Sequence, residues 1–459
     1  MPKRYLNNTF VFLLLLSGFM ACQPTVTQQA ENMPPQKPNI IFILADDIGQ
    51  TQLGCYDGPY HTPNIDQFAS QSMKFNNAYA SAAVCSPTRA ALMTGKYPAR
   101  LHITDFIKGE LFPDNLLKQP DWQKFLPLEE KTIAEALKEE GYKTAIFGKW
   151  HLSHEKRPPQ SATYNPNKQG FDEMMITYKP NAQKTNPEQD PHNVDSITNR
   201  ALKFLEENKE HRFFLYISHN SIHDPIMESQ ERISKFENDS TLNDWEIIPE
   251  IAAMVEHLDE GTGRLLHKID DLSLADNTII IFYGDNGGKD TYAKQHPYRK
   301  GKGWLYEGGI REPLLIRYPE KIKAGSESDL MVSTIDFFPT LIDLAGGQPA
   351  TDVDGRSIMN ELLAKEKLED RPQFWHYPHY HRGSKMKPAS AMRKGKYKLI
   401  EWHEELLLGK ETAYELYDLE ADVSETHNLS EKLPDVLAQM KKELSDWKEE
   451  TGAQMPTLK

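Results

Sequence analysis

Cysteine is nearly absent. Cys22, Cys55 and Cys85 are the only three in 459 residues, too few for a disulfide-stapled exported protein. If Cys22 is removed or modified, Cys55 and Cys85 remain as a possible pair, although Cys85 sits in a segment that points to another fate. Runs of one charge are missing too: the formal net charge is −14 and no long basic run occurs, so nucleic acid is not an expected partner. Acidity of the whole does not exclude an anionic substrate, because a local cluster of Lys and Arg can hold one. There is no internal repeat and no low-complexity block. The apolar run Phe10–Leu16 is too short to span a membrane. It follows Lys3 and Arg4 and precedes Ser17, Gly18 and Ala21, the order of a secretory signal over residues 1–21. Export to the periplasm is the expectation. Cys22 directly after Ala21 fits lipoprotein processing and a lipid anchor; Phe19 and Met20 fit it poorly, and simple cleavage to a soluble periplasmic protein is the other reading.

What is present is an ordinary soluble composition, 39% hydrophobic and 26% charged, long enough for one large α/β domain and a smaller one. Residues 22–37, with Pro24, Pro34 and Pro35, read as a flexible tether. Asn39–Leu44, Lys143–Phe147, Phe213–Ser218 and Thr278–Tyr283 are short apolar runs of the kind buried on both faces of a parallel sheet. Helical patterns alternate with them: one opens at Thr132, with Glu135 completing a capping box and Gly141 as the stop, and others cover Val194–Asn208 and Ile248–Leu272. The alternation predicts a doubly wound, mostly parallel α/β sheet with helices on both faces, over residues 38–365. Past residue 365, prolines punctuate an aromatic, His-rich stretch. Strand-like pieces at Tyr397–Trp402 and Glu415–Leu419 and an amphipathic helix over Leu433–Lys448 then predict a small antiparallel sheet with a terminal helix, residues 366–459.

Four of these strands end in polar groups: Asp46–Asp47, Lys149 with His151, His219 with His223, and Asp285–Asn286. Ligands bind at the carboxyl ends of strands in open α/β sheets, so one crevice should collect all four. The two acidic pairs supply hard oxygen donors, and no Cys or His set at zinc spacing accompanies them, which favours Ca²⁺ or Mg²⁺. A polar turn is the bland reading of either pair alone. Lys149 and His151, two apart in extended chain, should point the same way.

Cys85-Ser86-Pro87-Thr88-Arg89, followed by Thr94-Gly95, resembles the signature of the type I sulfatases, a branch of the alkaline phosphatase superfamily; Thr88 stands where Ser is commoner. Further stretches resemble that family in order: Pro38–Asp47, Thr62–Asp66, Gly148–His151, His223–Pro225, Gly284–Gly287, Gly301–Trp304 and Tyr306–Arg311. The resemblance implies that a formylglycine-generating maturation enzyme oxidises Cys85 to formylglycine (3-oxoalanine). Its hydrated aldehyde, a geminal diol, attacks sulfur to form a covalent sulfo-enzyme, and the second hydroxyl expels sulfate by restoring the aldehyde. It also implies metal ligation by Asp46, Asp47, Asp285, Asn286 and the modified Cys85. Arg89 would hold the diol, Lys149 and Lys302 the sulfate oxygens. His151 would steer the diol proton and His223 protonate the leaving oxygen.

The expected activity is hydrolysis of sulfate esters on carbohydrates, with an algal polysaccharide such as ulvan or carrageenan, or its oligosaccharides, as the favoured substrate. Lys96–Arg100 and His102–Asp105 look like polysaccharide-type members of the family. Desulfation of host glycans is an alternative. A phosphatase or phosphodiesterase of the same superfamily would use Ser or Thr and two zinc ions with more His ligands, and a non-catalytic glycan-binding lipoprotein would not need the full set of site residues. His376–His381 either contacts sugar, with His379 and Tyr380 as substrate residues alongside Arg311, or is a packed loop joining two domains. His219 lies outside the matched motif; substrate contact is one reading, and an ordinary hydrogen-bonded loop histidine is the favoured one.

Overall fold

The structure, a computed structural model, describes residues 37–154, 162–180, 190–319, 321–348 and 351–459. The expected signal segment, Cys22 and most of the expected tether lie outside the described residues. Strand β1 (Asn39–Ala45) is buried at all seven positions, which is why its sequence is apolar without alternation. It sits at the centre of an eight-stranded sheet. The others, in chain order, are β2 (Met73–Phe75), β3 (Lys143–Gly148), β4 (Glu173–Ile176), β5 (Phe213–Ser218), β6 (Thr278–Gly284), β7 (Leu314–Arg317) and β8 (Ser326–Ser328). The spatial order is β8-β2-β7-β6-β1-β5-β3-β4, all parallel except β7, which runs against both neighbours. Two apolar layers, one on each face, bury the sheet. The doubly wound α/β expectation holds.

The four strands read from sequence and the helix over Val194–Asn208 form where expected, to within a residue. Thr132 and Glu135 make the reciprocal capping box. β2, β4, β7 and β8, three or four residues each, carry no periodic signal of their own and owe their extended form to their ladder partners.

A separate four-stranded antiparallel sheet comprises β9 (Gln373–Tyr377), β10 (Ala389–Lys394), β11 (Tyr397–Trp402) and β12 (Tyr414–Asp418). The terminal helix Pro434–Glu450 packs Met440, Leu444 and Trp447 on one side of it. Trp375 on β9 donates its indole N–H to Ala80 O, which ties this sheet to the loop leading into helix α1 (Cys85–Thr94). α1 therefore lies between the two sheets, with all ten of its residues buried.

Hydrogen bonds continue past the strand ends: His219 N donates to Leu44 O, Lys149 N to Ser218 O, Asp285 N to Ala45 O and Asp46 N to Ser221 O. The four polar termini are thereby stitched into one crevice. Gly148 makes this possible, because a Cβ there would lie 1.8 Å from Ser218 O and its φ is +116°, a backbone few other residues adopt.

Candidate active site

Cys85 is the first residue of α1 and is 1% exposed. Its Sγ stands 3.4 Å from Asp46 Oδ1 and 3.5 Å from Lys302 Nζ. Burial pushes the thiol up to about 12 despite Lys149 and Lys302 nearby. An unmodified thiol here stays protonated at neutral pH and is a poor nucleophile. Cys55 and Cys85 are both free.

One turn along α1, Arg89 reaches into the crevice with 1% exposure. Its Nε and Nη2 grip Asp285 Oδ2 at 2.9 and 2.6 Å, and Nη1 donates to Lys149 O and Ser218 Oγ. Lys149 Nζ is 2.7 Å from Asp46 Oδ2, and Lys302 Nζ lies 2.6 and 2.8 Å from the two oxygens of Asp47. Burial opposes ionisation of Asp46, but Lys149, His223, Arg89 and Lys302 together hold its carboxyl well below the usual range. Asp285, buried beside the Asp46 charge, is raised to about 6 even with Arg89 on it. Three carboxylates and three cations thus share one buried space.

Whether a divalent cation fits can be read from Asn286. Its Nδ2 donates to Asp47 Oδ1 at 2.8 Å, while its Oδ1 is buried with no hydrogen-bond partner. A buried carbonyl oxygen without a donor, on a residue that touches Asp47, suits a hard-cation ligand. One ligand atom each from Asp46, Asp47, Cys85 and His223 also falls within a 4.8 Å cluster. The donor set fits.

Burial and the neighbouring lysines push both catalytic-candidate histidines toward the neutral form. His223 Nδ1 donates to Asp224 O at 2.7 Å, so its Nε2 is the acceptor; burial, then Lys302, keeps the ring well below its usual pKa. His151 Nε2 donates to Ile107 O at 2.7 Å, leaving a buried Nδ1 without a partner, and burial, then Lys149, depresses it. Lys149 and His151 both reach the crevice, but the chain is not extended at His151 itself. His151 has φ +59°, and this left-handed residue turns the chain so that its carbonyl accepts from Ser86 Oγ.

The comparisons agree with this geometry. The sulfatase family model matches residues 38–347, and the model for the C-terminal region of N-sulphoglucosamine sulphohydrolase matches residues 298–450. The chain belongs to the sulfatase family. It is a sulfuric ester hydrolase. Human N-acetylgalactosamine-6-sulfatase is 32% identical over 392 residues, spanning 78% of this chain and 70% of that protein. N-acetylgalactosamine-6-O-sulfatase of Bacteroides thetaiotaomicron is 29% identical over 93% of this chain and 96% of that protein. Among solved structures, Ps i-CgsB in complex with k-i-k-neocarrahexaose superposes with a TM-score of 0.75 at 28% identity, covering 90% of this chain and 93% of that one.

The residues expected to touch sugar are otherwise engaged in this sulfatase. His379 is 0% exposed, with Thr104 Oγ1 at 2.8 Å and Gln119 Nε2 at 3.1 Å on its two ring nitrogens. Tyr380 donates to Glu404 Oε2 at 2.6 Å. Arg311 donates to Asn76 O and Asn77 Oδ1 and pairs with Glu307. Each is engaged with protein partners, His379 and Tyr380 with residues 104, 119 and 404 and Arg311 with residues 76, 77 and 307. Lys96 and Arg100 are likewise paired, with Glu130, Asp352 and Asp354. His379→Ala should therefore cost about 1–3 kcal/mol by stranding Thr104 and Gln119, lowering the melting temperature while raising KM equally for a glycan and a small aryl sulfate. A glycan-selective rise in KM would restore the sugar-contact reading.

His219 is buried too, but its Nδ1 has no hydrogen-bond partner, unlike the satisfied loop histidine expected. Two further residues face the crevice: His381, which the sequence reading placed in the His376–His381 segment without singling it out, and Lys179, which it missed. His381 stands against Gly303, where a Cβ would come 2.5 Å from its Nδ1, and burial with the adjacent Lys302 pushes it down to about 4. Lys179 is held down by burial and by the Lys149 and Lys302 charges. Its only signal was a lone lysine after a weak strand. His381 was two positions beyond the histidine singled out.

Proposed function

We propose that this sulfatase removes sulfate esters from carbohydrates, with sulfated polysaccharides of algal type or their oligosaccharides as substrate, after Cys85 is converted to formylglycine by a maturation enzyme. The observation that carries this is the ring of Arg89, Lys149 and Lys302 around the Cys85 side chain, a cationic seat for a poor, anionic electrophile. The relatives named for hexosamine sulfates, and the structural neighbour with a bound neocarrahexaose, support a sugar substrate. Host glycans remain the competing substrate class on the strength of the two N-acetylgalactosamine sulfatases.

Formylglycine supplies a hydrated aldehyde, one hydroxyl to attack sulfur and a second to expel sulfate. A divalent cation, calcium by its all-oxygen donors, would be held by Asp46, Asp47, Asp285 and Asn286 beside residue 85, where it lowers the pKa of a nucleophilic oxygen. Arg89, fastened to Asp285, fixes the position of residue 85 on α1. Lys149 and Lys302 bind the sulfate oxygens. His151, with Nε2 committed to Ile107 O, has an accepting Nδ1 that can take a proton. His223 presents Nε2; a bound sulfate ester raises its pKa, as any neighbouring anion does, so it charges and protonates the leaving sugar oxygen.

The test is a screen of sulfated oligosaccharides, from algal and from animal sources, for released sulfate by the matured enzyme in calcium. We expect release from at least one algal class and none by Cys85→Ala. Release only from animal glycans would move the substrate; turnover undiminished by stripping all divalent cations would remove the metal. Export, with or without a lipid on Cys22, is part of the same proposal. Mass spectrometry of the mature N-terminus reads it directly, and an intact Met1 on protein recovered from the native cell envelope would reject it.

A further inference from the structure

A second group of ligand atoms lies beneath the loop that carries His223, apart from the sulfate site. Asp190, Asp195 and His257 each offer one atom to a cluster in which all lie within 4.8 Å of one another. His257 is on the long helix Pro249–Asp271, Asp195 in the first turn of the helix Val194–Asn208. The His257 side chain is 2% exposed and its Nε2 is buried without a hydrogen-bond partner. That nitrogen stands 3.4 Å from Asp195 Oδ2. Two ligands each about 2.0–2.2 Å from a tetrahedral zinc ion are separated by about 3.4 Å. On the other side of the ring, Nδ1 lies 3.0 Å from Glu228 Oε2, which selects the tautomer with its lone pair on Nε2. A carboxylate behind the histidine is the usual backing of a metal ligand.

The two aspartates are also held in place. Asp190 accepts from Asp195 N and from Ser196 N and Oγ, and a carboxylate so engaged keeps free lone pairs. Asp195 Oδ1 takes Arg264 Nη1 at 2.6 Å, leaving Oδ2 to face the imidazole. The Asp195 side chain is 41% exposed, so an ion can enter from solvent.

We propose that Asp190, Asp195 and His257 bind one transition-metal dication, zinc by its mixed imidazole and carboxylate donors, with water in the fourth position. The ion joins the two helices, and through Glu228 it braces the segment 219–228 that presents His223. The rival occupant of the same spot is a proton. Burial disfavours the charged ring, but Glu228 outweighs it and raises the His257 pKa, so an imidazolium between Glu228 and Asp195 is the alternative structure.

Zinc chloride titrated into the full-length, chelator-stripped protein, with excess calcium present and a chromophoric zinc indicator competing, decides between them. One equivalent should bind in the parent protein and in Asp46→Asn. Affinity should fall at least tenfold in Asp195→Asn, an isosteric change at a side chain 41% exposed, and in His257→Gln, with circular dichroism confirming that each variant is folded. Zinc should raise the melting temperature of the parent but not of Asp195→Asn. X-ray absorption should show one imidazole with oxygen ligands and no sulfur. No uptake, equal uptake in Asp195→Asn, loss of uptake in Asp46→Asn, or a sulfur ligand would each overturn the proposal.

Discussion

Replacing Cys85 with Ser should leave the fold intact and abolish turnover, lowering kcat by at least ~10,000-fold, the scale seen when a covalent nucleophile is removed. The hydroxyl fits the space of the thiol, between Asp46 Oδ1 at 3.4 Å and Lys302 Nζ at 3.5 Å. It can attack sulfur, but it has no second hydroxyl with which to expel the product. Intact-mass analysis after incubation with substrate should find one sulfuryl group retained at position 85. Cys85→Ala, with nothing to attack, should retain none. Repeated turnover by the Ser variant, or an ordinary thiol at position 85 in fully active enzyme, would defeat the formylglycine reading. The buried, protonated thiol makes this contrast sharp, since the unmodified side chain has little reactivity of its own.

Arg89→Ala is expected to abolish activity and also to cost about 3–5 kcal/mol, because it leaves a buried carboxylate uncompensated. Arg89 and Asp285 are 1% and 0% exposed, joined at 2.6 Å, and Asp285 also lies near the Asp46 charge. Without the guanidinium, folding must protonate Asp285. The sign follows: its folded pKa rises further above the unfolded value near 4, so the variant loses stability as pH rises from about 4 through neutrality and regains it in mild acid. Calcium, if it shares Asp285, should recover part of the loss at neutral pH. Urea unfolding at two pH values, with and without calcium, reads both effects. A variant as stable as the parent at pH 7 without metal would mean that Asp285 finds another partner.

Much of this site was legible before any coordinates. Strands buried on both faces have continuous apolar sequences, so β1, β3, β5 and β6 could be placed, and their polar termini followed as ligand positions. The Cys85–Arg89 segment pointed to the family through its resemblance to the sulfatase signature, a contiguous motif that needs no tertiary information. What sequence could not reach depended on chain crossings. His379 and His381 look alike in sequence, yet one is sealed between Thr104 and Gln119 while the other abuts Gly303. The left-handed turn at His151 has no signal in the sequence, where the chain read as extended. Lys179 has no motif, only a position.

The sequence by itself determined which segments must be buried and which donor types meet at the strand ends, because apolar periodicity and side-chain chemistry are local properties. Only the tertiary structure decided who partners whom: Lys149 with Asp46, Lys302 with Asp47, Arg89 with Asp285, and Asn286 Oδ1 with nothing. Those pairings join residues up to 255 positions apart. They are set by how the strand ends, α1 and the loop carrying Lys302 are brought together in the fold, which no local pattern encodes.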